Sequence, residues 1–182
     1  SRSTIRKAIE GMRDLGLVEA RSGYGTFVIS LQPQEKVVQT LSSFEDLMQY
    51  PAETYRKQVE VRTIKASPEL ALMLQSSTER EWLWLQAMRL TQYSQAPISW
   101  LDAYIAPEFS DVVRLPNPAG ASLLKQIQDL YGVQAASARV EVFVTAIDEK
   151  LSEPLGVARG TPALAIIRRY SNPEDGSYLV TR

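Results

Sequence analysis

The first apolar positions of the chain recur at helical spacing. They are three and four residues apart and fall on one face of a helix: Ile5, Ala8, Ile9 and Met12. The rest of the circumference is polar and largely basic. Gly16 can adopt the left-handed conformation that commonly ends a helix. An amphipathic helix that ends before Gly16 is therefore predicted.

A hairpin is predicted directly after this helix. Strand-like segments at 17–21 and 26–29 flank the sequence Ser22-Gly23-Tyr24-Gly25. The two glycines permit positive φ and a close approach of the backbone to another surface. The polar, proline-interrupted segment 30–43 that follows is predicted to be an interdomain linker.

Beyond the linker, the pattern changes to that of a mixed α+β domain over 44–182. Strands are predicted at 59–64, 82–91, 98–105, 138–147, 163–170 and 178–181. Helices are predicted at 44–48, 68–74, 107–113, 122–131 and 148–155. Because the strands are mostly joined as hairpins, the sheet is expected to be largely antiparallel.

A weak internal repeat runs through this domain. The order helix, strand, turn, strand occurs over 68–105 and again over 148–181. Two such units could form the halves of one sheet around a pseudo-twofold axis. A crevice between the halves could then enclose a small ligand.

The composition favours binding over catalysis. The 182 residues include neither Cys nor His, which removes disulfides, thiolate nucleophiles, the commonest metal ligand and the usual general base near neutral pH. No cofactor and no metal is therefore expected. No apolar run approaches the ~20 residues of a membrane span, and the sequence contains no signal peptide pattern, so a cytoplasmic location without membrane contact is expected.

Residues 1–28 resemble the end of the winged helix-turn-helix domain of the GntR family of bacterial transcription regulators. The matching positions are Ser1, Arg2, Thr4, Arg6, Ala8, Gly23, Gly25, Thr26, Phe27 and Val28. The resemblance implies that 1–29 are a recognition helix and a wing, and that the first two helices of the winged domain are absent from the sequence. It places the DNA contacts at Arg2, Ser3, Thr4, Arg6, Lys7, Ser22, Gly23 and Tyr24.

A regulator of this kind is expected to bind a palindromic DNA operator as a homodimer. Two recognition helices must reach half-sites about one helical turn apart, because a single helix makes too few contacts for useful specificity. A basic helix and hairpin on an ordinary protein surface are the alternative interpretation of residues 1–28.

Residues 44–182 resemble the UTRA effector-binding domain of the HutC branch of the same family. The matching segments, in order, are Arg89-Leu90, Pro97-Ile98, Tyr104-Ile105, Ser122-Leu123-Leu124, Tyr131-Gly132-Val133, Arg139-Val140-Glu141, Leu155-Gly156-Val157 and Gly160-Thr161-Pro162-Ala163-Leu164. The resemblance implies a fold like that of chorismate lyase, with a central antiparallel sheet flanked by helices. It also implies a small-molecule effector that alters operator binding by a regulator, here expected to be a repressor.

The candidate effector-binding residues are Arg89, Trp100, Tyr104, Ser122, Glu141 and Arg169. The resemblance implies that Arg89 contacts an anionic group of the ligand. Three positions depart from the family pattern, because Thr91 replaces a second arginine and Leu101 and Val180 replace glutamates. A carboxylate with an apolar or aromatic body is therefore expected in preference to a sugar phosphate.

Several alternatives remain open at the level of sequence. Glu141 could form an internal salt bridge with Arg89, and Trp100 could belong to the core. Of the adjacent Arg168 and Arg169, one is expected to face solvent and the other to face inward. For the whole domain, a chorismate lyase-like enzyme and a ligand-free dimerisation module are the alternatives to an effector-binding domain.

Overall fold

The computed structural model describes residues 1–14, 17–21, 23–29, 53–93, 96–116, 121–172 and 176–182. The chain divides into two units, Ser1–Ser42 and Ser43–Arg182. The predicted linker at 30–43 and the predicted helix at 44–48 lie outside the described residues, as do Gly16 and Ser22.

The first unit contains the predicted helix and hairpin. Helix α1 spans Arg2–Asp14, and strands β1 (Val18–Arg21) and β2 (Gly25–Val28) pair antiparallel. Gly23 and Gly25 have φ values of 80° and 99°, so the turn uses the conformational freedom that its glycines provide. Polar and apolar side chains of α1 are both exposed, including Ile5 and Met12 of the predicted apolar stripe.

The second unit is built on a six-stranded antiparallel sheet in the order β3-β4-β5-β8-β7-β6. Its strands are β3 (Thr54–Lys65), β4 (Glu81–Thr91), β5 (Pro97–Ile105), β6 (Ser137–Ala146), β7 (Pro162–Asn172) and β8 (Gly176–Thr181). The predicted strands are present, but β3 begins at Thr54 rather than at Val59. A register irregularity between Gln58 and Glu60 breaks the alternation of β3, which explains why only its second half was predicted from sequence.

The strand order agrees with the internal repeat. One half of the sheet is β3-β4-β5, the other is β6-β7-β8, and the two halves meet where β5 pairs with β8. Strand pairs join these two strands only over Ala103–Ile105 and Leu179–Thr181, with two further backbone hydrogen bonds between Asp102 and Arg182. This short junction between the halves is called the seam below.

Helices flank the sheet, so the predicted α+β fold is confirmed for this unit. They are α2 (Pro68–Leu74), α3 (Leu123–Tyr131) and α4 (Glu149–Leu155), with a 3₁₀ helix at Pro107–Arg114. Each α-helix has an N-cap side chain that accepts a hydrogen bond from the first turn, at 3.0–3.3 Å: Ser67, Ser122 and Asp148. Among the described residues, no helix is long and apolar enough to cross a membrane.

The two faces of the sheet carry separate apolar clusters. One packs beneath α3 and the 3₁₀ helix and includes Leu85, Ile105, Val112, Ile127 and Leu179. The other packs beneath α2 and includes Leu74, Trp82, Tyr104, Ile167 and Val180. These surfaces are called the α3 face and the α2 face. Successive residues of a strand point to opposite faces of the sheet. The apolar residues of the two clusters therefore also show on which face each neighbouring polar side chain lies.

Candidate functional site

A cleft lies on the α3 face of the sheet and crosses the seam. Its cavity volume is about 20 Å³, enough for about one water molecule, and it is partly open to solvent. Its lining comes from both halves of the sheet and from the start of α3: Arg56, Arg89, Leu101, Ser122, Leu123, Leu124, Arg168, Tyr170, Leu179 and Thr181. In the part of this lining that the structure describes, the charged residues are three arginines, so the site is called the arginine cleft.

Arg89 on β4 is held rigidly in the cleft. Its side chain is buried, with 4% of its surface exposed. Its Nη1 donates to Thr54 Oγ1 at 3.1 Å and its Nη2 donates to the Ala121 carbonyl oxygen at 3.4 Å. Both acceptors are neutral, and these hydrogen bonds orient the guanidinium group.

Arg56 on β3 lies directly opposite Arg89 in the strand register. Its Nη2 donates to Gln126 Oε1 at 2.9 Å, while Gln126 Nε2 donates to the Pro116 carbonyl oxygen at 3.0 Å. The second contact fixes the orientation of the amide and presents its oxygen to Arg56. Like charges directly opposite on neighbouring strands repel each other.

Arg168 and Ser122 supply further donors from two other elements. Arg168 belongs to β7 and pairs in register with Thr181 of β8. Ser122 caps α3, where its Oγ accepts from Lys125 N at 3.1 Å, so its own hydroxyl hydrogen can still be donated. The first N–H groups of a helix have no partner within the helix, and they point towards its N-terminal side.

Guanidinium groups and hydroxyl groups are the polar groups of the described lining. Arginine remains protonated throughout the accessible pH range, and the described lining contains no carboxylate or imidazole that could exchange a proton. The described residues also contain no cluster of acidic side chains that could hold a metal ion.

The structure brings together only some of the residues predicted for effector binding. Arg89 and Ser122 both line the arginine cleft. The other four lie on the α2 face, on the opposite side of the sheet: Trp100, Tyr104, Glu141 and Arg169. The sequence-based prediction missed Arg56, Arg168 and Thr181.

Trp100 and Tyr104 belong to an aromatic cluster around Asp102. The Asp102 carboxylate accepts from the indole N–H groups of Trp84 and Trp100, at 3.0 and 3.2 Å, and from Gln86 Nε2 at 3.0 Å. Tyr104 stacks on Trp84 with the ring planes 7° apart. Burial, together with the charge of Asp102, raises the pKa of Tyr104 to about 12, so its hydroxyl is neutral under physiological conditions. These contacts give both side chains a structural role.

Glu141 pairs with Arg169 and not with Arg89. Arg169 Nη1 donates to Glu141 Oε1 at 2.5 Å, and Arg169 Nε donates to the Met73 carbonyl oxygen of α2 at 2.6 Å. The alternative of a salt bridge between Glu141 and Arg89 was therefore wrong, because the two residues lie on opposite faces. Neither Arg168 nor Arg169 is fully exposed, since α3 and α2 pack on the two faces of the sheet.

We expect Arg169→Met to reduce the free energy of unfolding by about 1–3 kcal/mol. The Met73 carbonyl would lose its donor and Glu141 would lose its partner, while the apolar part of the side chain would be retained. Glu141 is half-exposed and can be solvated, which limits the loss. Urea unfolding followed by circular dichroism measures the change. The control is the same substitution at Arg159, which is largely exposed; equal stability of both variants would contradict the structural role of Arg169.

The sequence and fold were compared with known proteins. The family model of the UTRA domain matches residues 52–179. No curated protein matches the sequence. One solved structure with a similar fold is a possible transcriptional regulator, YydK from Bacillus subtilis, with 21% identity, a TM-score of 0.61 and coverage of 100% of this chain and 76% of that chain.

Two other solved structures are also similar. PhnF from Mycobacterium smegmatis is 20% identical, with a TM-score of 0.65 and coverage of 100% of this chain and 79% of that chain. A GntR-family transcriptional regulator from Enterococcus faecalis is 17% identical, with a TM-score of 0.56 and coverage of 70% of this chain and 89% of that chain. At sequence identities of 17% to 21%, the similarity to these three structures shows a common fold.

Proposed function

Because the chain belongs to the UTRA domain family, whose model matches residues 52–179, we propose that it is a metabolite-responsive transcription regulator of the HutC branch of the GntR family. In this proposal residues 44–182 bind a small-molecule effector and residues 1–29 contribute to DNA binding in the cytoplasm. The effector changes operator affinity because it binds the DNA-competent and DNA-incompetent states unequally. The regulator is proposed to be a repressor.

The arginine cleft is the observation that carries the effector-binding part of this proposal. Arg89 and Ser122 would hold a carboxylate of the effector, with Arg56 and Arg168 adding positive charge. Charge-assisted hydrogen bonds from guanidinium groups to a carboxylate are about twice as strong as neutral ones. Effector binding by the other four predicted residues stays a prediction. Their contacts on the α2 face favour a structural role, and the four residues are Trp100, Tyr104, Glu141 and Arg169.

A thermal-shift screen of anionic and neutral metabolites tests effector binding. Ligands that bind only the folded state raise its melting temperature, so carboxylates are expected to stabilise the protein. Stabilisation by sugar phosphates alone would contradict the proposed ligand chemistry. Stabilisation by no metabolite would favour the ligand-free dimerisation module.

A chorismate lyase-like enzyme is the alternative in a different functional class. The arginine cleft could bind an anionic substrate, but its described lining contains neither a carboxylate nor an imidazole to act as a general acid or base. Product formation from chorismate would establish the enzyme, and its absence together with carboxylate binding would favour the regulator.

DNA binding is proposed for the exposed side chains of α1 and the hairpin turn. The positions within the described residues are Arg2, Ser3, Thr4, Arg6, Lys7, Gly23 and Tyr24, all of which are exposed. Ser22, which is also proposed to contact DNA, lies outside the described residues. Exposed arginines and hydroxyls near a helix N-terminus suit contacts with phosphates and base edges.

We expect Arg6→Ala to weaken operator binding by about 1–3 kcal/mol if the guanidinium group contacts a base. Binding is measured by fluorescence anisotropy at constant salt. The control is Arg114→Ala, which removes an equal charge from the surface of the second unit. Equal loss in both variants would indicate a general charge effect instead of base recognition.

A homodimer is proposed because an operator with two half-sites requires two recognition helices. The edge strand β6 and its neighbour β7 expose the apolar side chains Val142, Val144 and Leu164, which supports an interface in this part of the sheet. Sedimentation equilibrium of the purified chain measures the association directly.

A further inference from the structure

Strand β6 forms one edge of the sheet, and in the part of the chain that the structure describes it pairs with β7 alone. The register between the two strands is uninterrupted from Ser137 to Ala146. Just beyond it, Ile147 N donates to the carbonyl oxygen of Thr161, the residue opposite, at 2.9 Å. Hydrogen-bonded positions alternate along an antiparallel ladder, so the odd-numbered residues of β6 bond to β7. The even-numbered residues therefore direct their N–H and C=O groups towards the free edge.

The even-numbered side chains of β6 form an apolar stripe on the α3 face. Val142 is 55% exposed and Val144 is 75% exposed, and Leu164, which pairs with Val144, is also exposed. Phe143 is exposed on the α2 face, so apolar surface flanks the free edge on both sides of the sheet. A long, regular and apolar edge strand is a template for pairing with another strand. The stripe consists of Ala138, Val140, Val142, Val144 and Ala146.

The opposite edge of the sheet, β3, has features that prevent such pairing. Its register is irregular between Gln58 and Glu60. Charged side chains also recur along its length, at Lys57, Glu60, Arg62 and Lys65. Bulges and charges are the usual means by which edge strands avoid pairing with other chains. The contrast within one sheet identifies β6 as the edge that is open to a partner strand.

We propose that β6 pairs antiparallel with β6 of a second copy of the chain, which joins two six-stranded sheets into one continuous sheet. A twofold axis passes through Val142, and Val140 lies opposite Val144 of the partner subunit. Every valine of the stripe then faces a valine, and the overlap extends over Ala138–Ala146 with about ten backbone hydrogen bonds. The same surface serves both copies, as a twofold interface requires.

Two neighbouring registers are less favourable. Side chains keep their faces only when the register shifts by two residues. One such shift places Glu141 opposite Glu141 of the partner subunit, where like charges repel. The other shortens the overlap to Val140–Ala146. This inference rests on the homodimer of the proposed function and adds the strand, the direction and the register of the interface.

Single-cysteine variants of the whole chain test the register, because the chain has no cysteine of its own. Opposite residues of a hydrogen-bonded pair have Cα atoms about 5.5 Å apart, which a disulfide can span. We therefore expect Val142→Cys to form disulfide-linked dimers on mild oxidation, as measured by non-reducing gel electrophoresis. Val140→Cys and Val144→Cys should each stay unlinked, because equivalent residues lie roughly 13 Å apart along the strand. A mixture of these two variants should form linked dimers.

Val142→Lys tests the association itself. We expect the dissociation constant of the dimer to rise at least about tenfold, because two ammonium groups would meet at the twofold axis. Val142→Thr, which adds no charge and keeps the branched side chain, should retain association. Val59 is the matched control, since it is 50% exposed on the opposite edge strand; Val59→Lys should keep the parental dissociation constant and Val59→Cys should stay unlinked. Sedimentation equilibrium measures association, and unchanged melting temperatures show that the variants are folded.

The outcomes separate this inference from the homodimer on which it rests. A dimeric parent chain with an unchanged dissociation constant in Val142→Lys would overturn pairing through β6 while leaving the homodimer intact. Weakened association in Val142→Lys without linking in Val142→Cys, or linking of Val140→Cys alone, would overturn the register. A parent chain that stays monomeric would overturn the homodimer itself.

Discussion

Arg89→Gln is expected to weaken carboxylate binding by about 2–5 kcal/mol, which is the largest effect on ligand affinity of any single substitution in the cleft. Arg89 is buried, and the Thr54 hydroxyl and the Ala121 carbonyl oxygen fix its guanidinium group before any ligand binds. A prearranged donor costs little ordering entropy on binding. Glutamine keeps hydrogen-bonding capacity but removes the charge.

Calorimetric titration with the carboxylate that stabilises the protein most in the thermal-shift screen measures this loss. Arg89→Lys should recover only part of the affinity, because an ammonium group cannot reproduce the planar arrangement of guanidinium donors. The melting temperature of Arg89→Gln is compared with that of the parent, because the substitution also removes the hydrogen bonds to Thr54 and Ala121. Parental affinity in Arg89→Gln would place the ligand elsewhere, and Arg169→Met then tests the α2 face by the same titration.

The elements of the second unit could be predicted from sequence because their signals are local. Strands β4 and β7 are continuous runs of strand-forming residues, and their hairpin partners follow after short turns. Ser67, Ser122 and Asp148 each precede a helix and cap it as expected. The repeat of helix, strand, turn and strand also anticipated a sheet with two halves and a crevice between them.

Arg56 could not be predicted because its stabilising contacts are distant in sequence. Gln126, which accepts from it, lies 70 residues away, and the irregularity after Gln58 removes the alternation that identifies a strand. The polar run from Thr54 to Gln58 therefore resembles a loop, although alternate residues in it are buried or line the cleft. Thr54 and Arg56 are accordingly buried polar residues.

The choice between Arg168 and Arg169 illustrates a second limit of the sequence. Alternation shows that adjacent strand residues point to opposite faces, but not which face carries the ligand site. That depends on which helix covers each face, and α2 lies on one face while α3 lies on the other. The sequence thus identifies a pair of arginines, and the tertiary structure assigns Arg168 to the cleft and Arg169 to the contact with α2.

The two faces of the sheet therefore differ in how their charged side chains are arranged. The α3 face places the side chains of Arg56, Arg89 and Arg168 around a cleft. The α2 face pairs its charged groups internally, as in the contact between Arg169 and Glu141, and adds a large apolar cluster. Substitutions on the α2 face should consequently change stability, and those in the cleft should change affinity.

Trp82→Ala is expected to cause the largest loss of stability, about 3–5 kcal/mol in the free energy of unfolding. Trp82 has 0% of its surface exposed and packs between the sheet and α2 in the cluster that contains Leu74. Its indole N–H donates to Ser76 Oγ at 3.3 Å, and the Arg80 guanidinium group lies 4.7 Å from the ring centroid. Alanine would leave a cavity and remove both contacts.

Urea unfolding followed by far-ultraviolet circular dichroism measures this loss without relying on tryptophan fluorescence. Trp82→Phe should lose less, because it keeps most of the apolar volume. The matched control is Trp84→Ala on the same strand, where a half-buried indole rests against the Arg62 guanidinium group. If Trp84→Ala were as destabilising as Trp82→Ala, the stability of this face would depend on the aromatic cluster around Asp102 more than on packing beneath α2. A loss below about 1 kcal/mol in Trp82→Ala would mean that α2 contributes little to holding the sheet together.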